Sequence, residues 1–243
     1  MALRLAARGV AVQTTRSADL DATQPGACDR LRRLLSPGCT ILHSIPSLPG
    51  GADRELIRAF EDQPGRVVYL STTSVYGDAE RVDERTLAQP RSARELARVE
   101  TERAVQSGPW QSLILRPAAI YGPDRGVHMA MAQGRYTLLS DGSNYISRIH
   151  VDDLAAITEA ALLSALTGAY PVADQHPCPA REIAEYCAQL LGLPMPVPAG
   201  WKDVPESRRA NRRVDGSAIC RELGVTLRYP SYREGIPIRD AKM

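Results

Sequence analysis

Short apolar runs alternate along this chain with segments whose apolar residues recur every three or four positions. That pattern favours a parallel sheet with crossover helices. Residues 2–8 read as the back half of an amphipathic helix stopped by Gly9, and Val10-Ala-Val-Gln-Thr14 reads as a short strand. A helix is expected at 27–35, closed by Pro37-Gly38, then a strand from Thr40 to Ser44 and a helix from Asp53 to Phe60. Arg66-Val-Val-Tyr-Leu-Ser71 is the clearest strand, β-branched and apolar and ending in hydroxyl residues.

After a polar loop at 77–91, a helix is expected from Ser92 to Gln106. Ser92-Ala-Arg-Glu95 has capping-box spacing, so Ser92 can accept a bond from an early helix N–H while Glu95 returns one. Ser112–Arg116 reads as a strand, followed by a helix from Asp153 to Leu166 with Asp152 as its cap. Ala169–Ala173 suits an edge strand because Pro171 cannot donate to a ladder. Arg181–Leu191 is helical and closed by Gly192, residues 194–205 form a Pro-rich loop, and 215–223 make a last short helix.

Composition narrows the picture. The 243 residues are 44% hydrophobic and 24% charged, ordinary values for a globular domain large enough to bury a real core. Thirty basic and 28 acidic residues leave a formal charge of +2, which implies no nucleic-acid partner. The run Arg208-Arg209-Ala210-Asn211-Arg212-Arg213 reads as a solvated face or helix end, since no aromatic accompanies it in sequence. Five cysteines with no C-x-x-C pair argue against a disulfide framework and a structural zinc site. The four histidines show no ligand spacing, so no metal is expected. No apolar run approaches the roughly 18 residues of a membrane span. The start is too short and charged for a signal peptide. The expectation is a cytoplasmic protein.

Five segments carry a resemblance. Leu70-Ser-Thr-Thr-Ser-Val-Tyr-Gly-Asp78, Val82-Asp-Glu84, Leu115-Arg-Pro-Ala-Ala-Ile-Tyr-Gly-Pro123, Arg148-Ile-His-Val-Asp-Asp-Leu154 and Asn211-Arg-Arg-Val-Asp215 with Arg221-Glu-Leu-Gly224 occur in this order. Together they are similar to the extended short-chain dehydrogenases/reductases, the NAD-dependent epimerase/dehydratase family. The resemblance implies an α/β fold, a Rossmann-like doubly wound parallel sheet, with a small C-terminal substrate lobe. Residues 1–123 would form the NAD(P)-binding domain and 124–243 mainly the substrate lobe, with 150–174 returning to the first domain. No G-x-x-G-x-x-G cradle for a pyrophosphate occurs in the sequence. Residues 2–8 resemble the remainder of the helix that follows such a loop, so the chain is expected to lack the family's first strand and glycine turn.

The family uses a Ser or Thr, a Tyr and a Lys. The resemblance places Thr72 at the hydroxyl position, Arg94 at the Tyr position and Arg98 at the Lys position. An arginine stays protonated, so Arg94 cannot transfer a proton, while Arg98 can still supply charge and a ribose bond. This pattern is similar to an atypical branch without the tyrosine. Tyr76, Tyr121 and Glu84 are the nearest other acids, each read as structural. Cofactor contacts are implied for Arg16, Ser44, Ser71, Arg98 and Pro117, and substrate contacts for Thr73, Arg148 and His150. The cofactor is NADP or NAD, with Arg16 at the end of the strand over 10–14 leaning toward the 2′-phosphate of NADP.

The leading expectation is an NAD(P)-binding relative of nucleotide-sugar epimerases, dehydratases and reductases with modified catalysis. Its substrate would be a small molecule in the nucleotide-sugar class, without nucleic acid or membrane, and a homodimer is the assembly the family suggests. A non-catalytic dinucleotide-binding module and a truncated product without a competent cofactor site are the alternatives.

Overall fold

The structure is a computed structural model that describes residues 2–15, 19–205 and 208–236. In chain order its regular elements begin with α1 (Ala2–Ala6), α2 (Ala27–Arg32), β1 (Cys39–His43), α3 (Ala52–Arg58), β2 (Pro64–Leu70) and β3 (Arg81–Val82). They continue with α4 (Ala93–Gln106), β4 (Gln111–Pro117), β5 (Ala119–Tyr121), α5 (Val127–Ala132), β6 (Leu138–Leu139), β7 (Tyr145–Ile146) and β8 (Arg148–His150). The chain ends in α6 (Val151–Leu163), β9 (Gly168–Val172), β10 (Cys178–Pro179), α7 (Ala180–Leu191), β11 (Pro198–Ala199), β12 (Arg213–Val214), α8 (Ser217–Leu223) and α9 (Tyr232–Gly235).

Strands β1, β2, β4 and β9 pair in that order, all parallel, into a four-stranded sheet. Successive side chains of a strand point to opposite faces, so a sheet covered on both sides needs continuous apolar runs. That is how β2 and β4 are built. Val67, Tyr69 and Ile114 pack with Leu56, Ile57 and Phe60 of the α3 region and Val105 of α4. Val68, Leu113 and Leu115 face the other way, onto Leu5, Leu154, Ile157 and Ile219 of α1, α6 and α8. The helices therefore lie on both faces, a doubly wound arrangement.

Polar groups finish what the apolar layers begin. Buried Arg66 gives its Nε to the Ala161 carbonyl at 3.0 Å and an Nη2 to the Leu166 carbonyl at 2.7 Å, satisfying the end of α6. Asp153 accepts the backbone N–H groups of Arg228 and Tyr229 at 2.8 and 2.9 Å, pinning the segment before α9 onto α6. A separate apolar cluster of Tyr121, Met131, Cys178, Ile183, Cys187 and Tyr232 forms beside α5 and α7.

Three expectations need correction. Val10–Thr14 is no strand: residues 10–15 have no regular structure and all are exposed, and the Val10 N–H turns back to the Leu5 carbonyl at 3.2 Å. Among the described residues no strand lies beside this run, and an unpaired segment leaves its backbone to water. Helix α6 begins at Val151, so its cap is His150 rather than Asp152; the ring Nδ1 accepts the Asp152 N–H at 3.1 Å. Helix α8 is not the last, because α9 follows with its own capping box of Ser231 and Glu234. The box at Ser92 and Glu95 forms on α4, and Pro171 lies on the sheet-edge strand β9. Among the described residues no helix is long and apolar enough to cross a membrane.

Leu115→Ala and Ile114→Ala, on opposite faces of β4, are each expected to lower the unfolding free energy by about 2–5 kcal/mol. Val12→Ser, in the exposed segment, should change it by less than about 0.5 kcal/mol. Urea denaturation followed by circular dichroism measures all three.

Candidate nucleotide-binding site

The carboxyl ends of β1, β2 and β4 form one crest, the place where open α/β sheets bind ligands. After β2 the chain runs through Ser71 and Thr72 into a single tight turn at Thr73–Tyr76. Thr72 caps that turn, its Oγ1 accepting the Ser74 N–H at 3.2 Å. Gly77 follows with φ 56°, and a side chain there would run into the Gln89 carbonyl, so both conformation and space require glycine. Arg212 then holds the loop from beneath by donating to the carbonyls of Thr73, Gly77 and Ala79.

Below the crest lies a buried charge pair. Arg116 on β4 binds Glu102 on α4 through both carboxylate oxygens, Nε to Oε1 at 3.0 Å and Nη2 to Oε2 at 2.7 Å. Ser71 donates its hydroxyl to Oε1, and Arg116 also donates to the Tyr76 hydroxyl at 3.2 Å. Burial alone would lower the Arg116 pKa, but the bonded Glu102 carboxylate outweighs it and raises it, keeping the guanidinium charged.

The residues singled out from sequence fall into distinct settings. Arg98 is half-buried, with Nη1 donating to the Tyr69 hydroxyl at 2.6 Å and more weakly to the Ile45 carbonyl at 3.4 Å. Arg94, one turn earlier on α4, is exposed, and no hydrogen bond or ion pair among the described residues engages its side chain. Ser44 is exposed, Thr72 half-buried, and Ser71, Thr73 and Pro117 buried. Arg16 lies outside the described residues.

Arg148 and His150 are turned into the protein. Arg148 donates to the Ile146 carbonyl at 2.7 Å and to the Cys178 sulfur at 3.2 Å. His150 is clasped between the Tyr121 and Tyr229 rings, with centroids 5.2 and 3.8 Å away, and burial lowers its pKa. Two of the other acids considered, Tyr76 and Tyr121, are equally committed. Tyr76 is fully buried against Arg116, and Tyr121 donates to the Ser231 carbonyl at 3.0 Å. Burial raises both phenol pKa values, so neither ionises near neutrality.

Some groups escaped sequence reasoning because their partners lie far away in the chain. Asp53 is fully buried and accepts the Leu48 N–H at 2.9 Å and the Thr101 hydroxyl at 2.6 Å, fastening the β1–α3 connection to α4. His43, at the end of β1, is buried between Phe60 and Tyr69, and its Nε2 has no partner among the described residues. Aromatic partners do meet the arginine run, from elsewhere in the chain: Arg208 lies 4.6 Å over Tyr136, Arg209 5.5 Å over Trp201 and Arg213 3.6 Å over Tyr145.

The sequence holds no G-x-x-G-x-x-G turn of the kind that cradles a pyrophosphate, while Arg98, Thr72 and Ser44 keep access to solvent at the crest.

A four-stranded parallel sheet wrapped on both faces, with its polar crest at the strand ends, defines a Rossmann-like α/β protein. The chain belongs to the NAD dependent epimerase/dehydratase family, whose family model matches residues 51–172, half of its length. It is 32% identical over 152 residues to a 3-diazoavenalumate denitrifying reductase from Streptomyces sp, covering 56% of this chain and 50% of the relative. It is 34% identical over 173 residues to protein YeeZ of Escherichia coli strain K12, covering 68% of this chain and 59% of that protein. The chain thus spans half to three fifths of these curated relatives. Among solved structures, a functionally unknown conserved protein from Silicibacter pomeroyi DSS is similar at 36% identity with TM-score 0.70, over 81% of this chain and 75% of that one. The fold also matches the Thermus thermophilus UDP-glucose 4-epimerase complex with NAD at TM-score 0.78 and 20% identity, over 99% and 95% of the two chains.

The buried polar groups lead to two predictions. Arg116→Met should destabilise the protein by about 3–5 kcal/mol, because Glu102 is left charged and dry, and adding Glu102→Leu should recover most of the loss. Chemical denaturation of the single and double variants measures this. Burial chiefly, with Arg98 adding to it and Asp53 opposing it, lowers the His43 pKa from 6.5 to about 4. Between these values the unfolded chain binds a proton that the folded one does not. The His43 contribution to stability should therefore fall as pH drops from 6.5 to 4, by about 3 kcal/mol at about 1.36 kcal/mol per unit, while buried Asp174, its pKa raised to about 7, contributes with the opposite sign. The difference between wild-type and His43→Phe denaturation curves recorded across the range should show this contribution, with the variant losing less stability as pH falls.

Proposed function

We propose that this chain is a nicotinamide-dinucleotide-binding domain of its family that works without the tyrosine-based proton transfer of the family's usual site. The observation that carries this reading is the pair of arginines on α4. Arg98 is held against the Tyr69 hydroxyl and the Ile45 carbonyl at the crest, while Arg94 stands exposed one turn away. Two permanent cations suit a phosphate- or carboxylate-bearing ligand and cannot cycle a proton.

In this reading Arg98 holds the ribose end of the cofactor, with Ser44, Ser71 and Pro117 lining its path, and Arg94 meets an anionic group. Thr72 offers a half-buried hydroxyl just after β2, and Thr73, Arg148 and His150 shape the substrate side from within. Residues 1–123 would form the cofactor domain and 124–243 mainly the substrate lobe, with 150–174 returning to the first domain. A small molecule of the nucleotide-sugar class is the substrate. Support comes from a similar fold, 20% identical at TM-score 0.64, in the Bacillus cereus UDP-glucuronic acid 4-epimerase complex with UDP-glucuronic acid and NAD. Arg16 directs the preference toward NADP. A binding module without turnover is the second reading, and Arg94 at the tyrosine position favours it.

Titrating the folded protein with NADPH and NADH, followed by nicotinamide fluorescence, tests the proposal. Saturable binding is expected, tighter for NADPH by about tenfold, the value of one charge-assisted contact at about 1.4 kcal/mol. Arg98→Leu should weaken both cofactors, and Arg16→Ala should erase the difference between them. Absence of saturable binding by folded protein rejects the reading. If turnover is found, Thr72→Ser should keep it and Thr72→Ala should remove it, whereas equal activity of the two rejects a role for the hydroxyl.

A further inference from the structure

Away from the crest, the start of α7 gathers three side chains with metal-binding chemistry. His176 and Cys178 flank Pro177 at β10, and Glu182 lies in the first turn of α7. Their donor atoms, an imidazole nitrogen, a thiol sulfur and a carboxylate oxygen, all lie within 4.8 Å of one another. The histidines show no ligand spacing among themselves, so this grouping emerges only when a cysteine and a glutamate join one of them in space.

We propose that His176, Cys178 and Glu182 form a binding site for one zinc-class divalent ion. A thiolate with an imidazole and a carboxylate selects zinc and its neighbours over magnesium or calcium, which take oxygen donors. The frame is rigid on both sides. Cys178 pairs with Ile146 on β7, and Glu182 is held by the Tyr232 hydroxyl at 2.9 Å. Neighbouring donors already point at the ligand atoms, as outer-shell partners of metal ligands do. Arg148 reaches the Cys178 sulfur at 3.2 Å, and Arg233 reaches the same Glu182 oxygen as Tyr232 at 3.4 Å.

Entry is open from one side. The side chains of His176 and Glu182 are 42% and 33% exposed while Cys178 is 1% exposed, so a fourth position falls to solvent. Bonds of about 2.0–2.3 Å place tetrahedral ligand atoms about 3.3–3.8 Å apart, so on binding the His176–Glu182 pair would open from 2.8 Å and the wider separations would close. Without metal, His176 Nε2 and Glu182 Oε1 are hydrogen-bonded at 2.8 Å. Metal binding exchanges that bond for two metal bonds and releases the Cys178 thiol proton, with any imidazolium proton, to solvent. The site would fasten β10 to α7 and stiffen the C-terminal lobe.

Cobalt(II) is the probe, because it occupies zinc sites and a bound thiolate gives it a charge-transfer absorption. The folded full chain should take up one equivalent with that band and with tetrahedral-type visible absorption, and zinc should displace it. Zinc should also raise Tm by about 5 °C. Cys178→Ser should remove the band and Cys187→Ser should retain it, with circular dichroism confirming that both fold. His176→Gln and Glu182→Gln should keep the band but weaken binding at least tenfold. A folded wild-type chain that gives no thiolate band overturns the proposal, and so does a band that survives Cys178→Ser.

Discussion

The buried pair of Glu102 and Arg116 fixes the relation between helix α4 and the sheet, and the whole crest depends on it. Two opposite charges with almost no access to water gain strongly from each other only when their geometry is good and their remaining bonds are filled. Both conditions hold, since the pair is bidentate and Ser71 and Tyr76 complete it. Such a pair contributes more to a single arrangement than to net stability, because water would solvate the separated ions well. Its consequence is positional. Arg98 sits one helical turn before Glu102, so the anchoring that seats Glu102 also turns Arg98 toward Tyr69 and the end of β1. Thr101, next to Glu102, reaches Asp53 from the same helix and ties in the β1–α3 connection.

This economy decides what is left for a ligand. The Ser71 hydroxyl, the Tyr69 and Tyr76 phenols and the Arg116 guanidinium are all engaged within the protein. His43 is neutral and enclosed, and Arg148 and His150 pack inward. Of the crest residues singled out from sequence, Thr72, Ser44, Arg94 and Arg98 keep access to solvent. A crest with many buried bonds is well suited to hold a shape.

The fold was legible where local pattern and burial agree. The apolar run at Arg66–Ser71 had to be covered on both faces, and the sheet covers it with helices that the sequence spacing had already located. Ser92 and Glu95 announce the start of α4 by local bonds alone, and those bonds form. Val10–Thr14 misled because β-branched residues state a preference without a partner, and a strand exists only beside another strand. Asp152 misled because an imidazole two residues ahead can cap as well as a carboxylate. The polar network was least legible. Glu102, Arg116, Asp53 and Arg212 are unremarkable singly and acquire meaning from contacts 14 to 139 residues apart in sequence. The arginine run conceals its partners for the same reason, since Tyr136, Tyr145 and Trp201 come from other segments.

If Arg94 and Arg98 stand where the family has its tyrosine and lysine, as proposed, the kind of work the site can do changes. A phenol beside an ammonium group has a proton to exchange and a pKa that its neighbour can bring toward neutrality. Two guanidiniums have neither, since their charge is unchanged across the whole physiological range. Guanidiniums can hold an anion equally well at any such pH, and Arg98 is already restrained by its bonds to Tyr69 and Ile45. Any proton such a site moves must come from the ligand, from solvent or from a hydroxyl such as Thr72. In the proposed reading, ligand binding would rest on these two cations, and any proton transfer on groups outside α4.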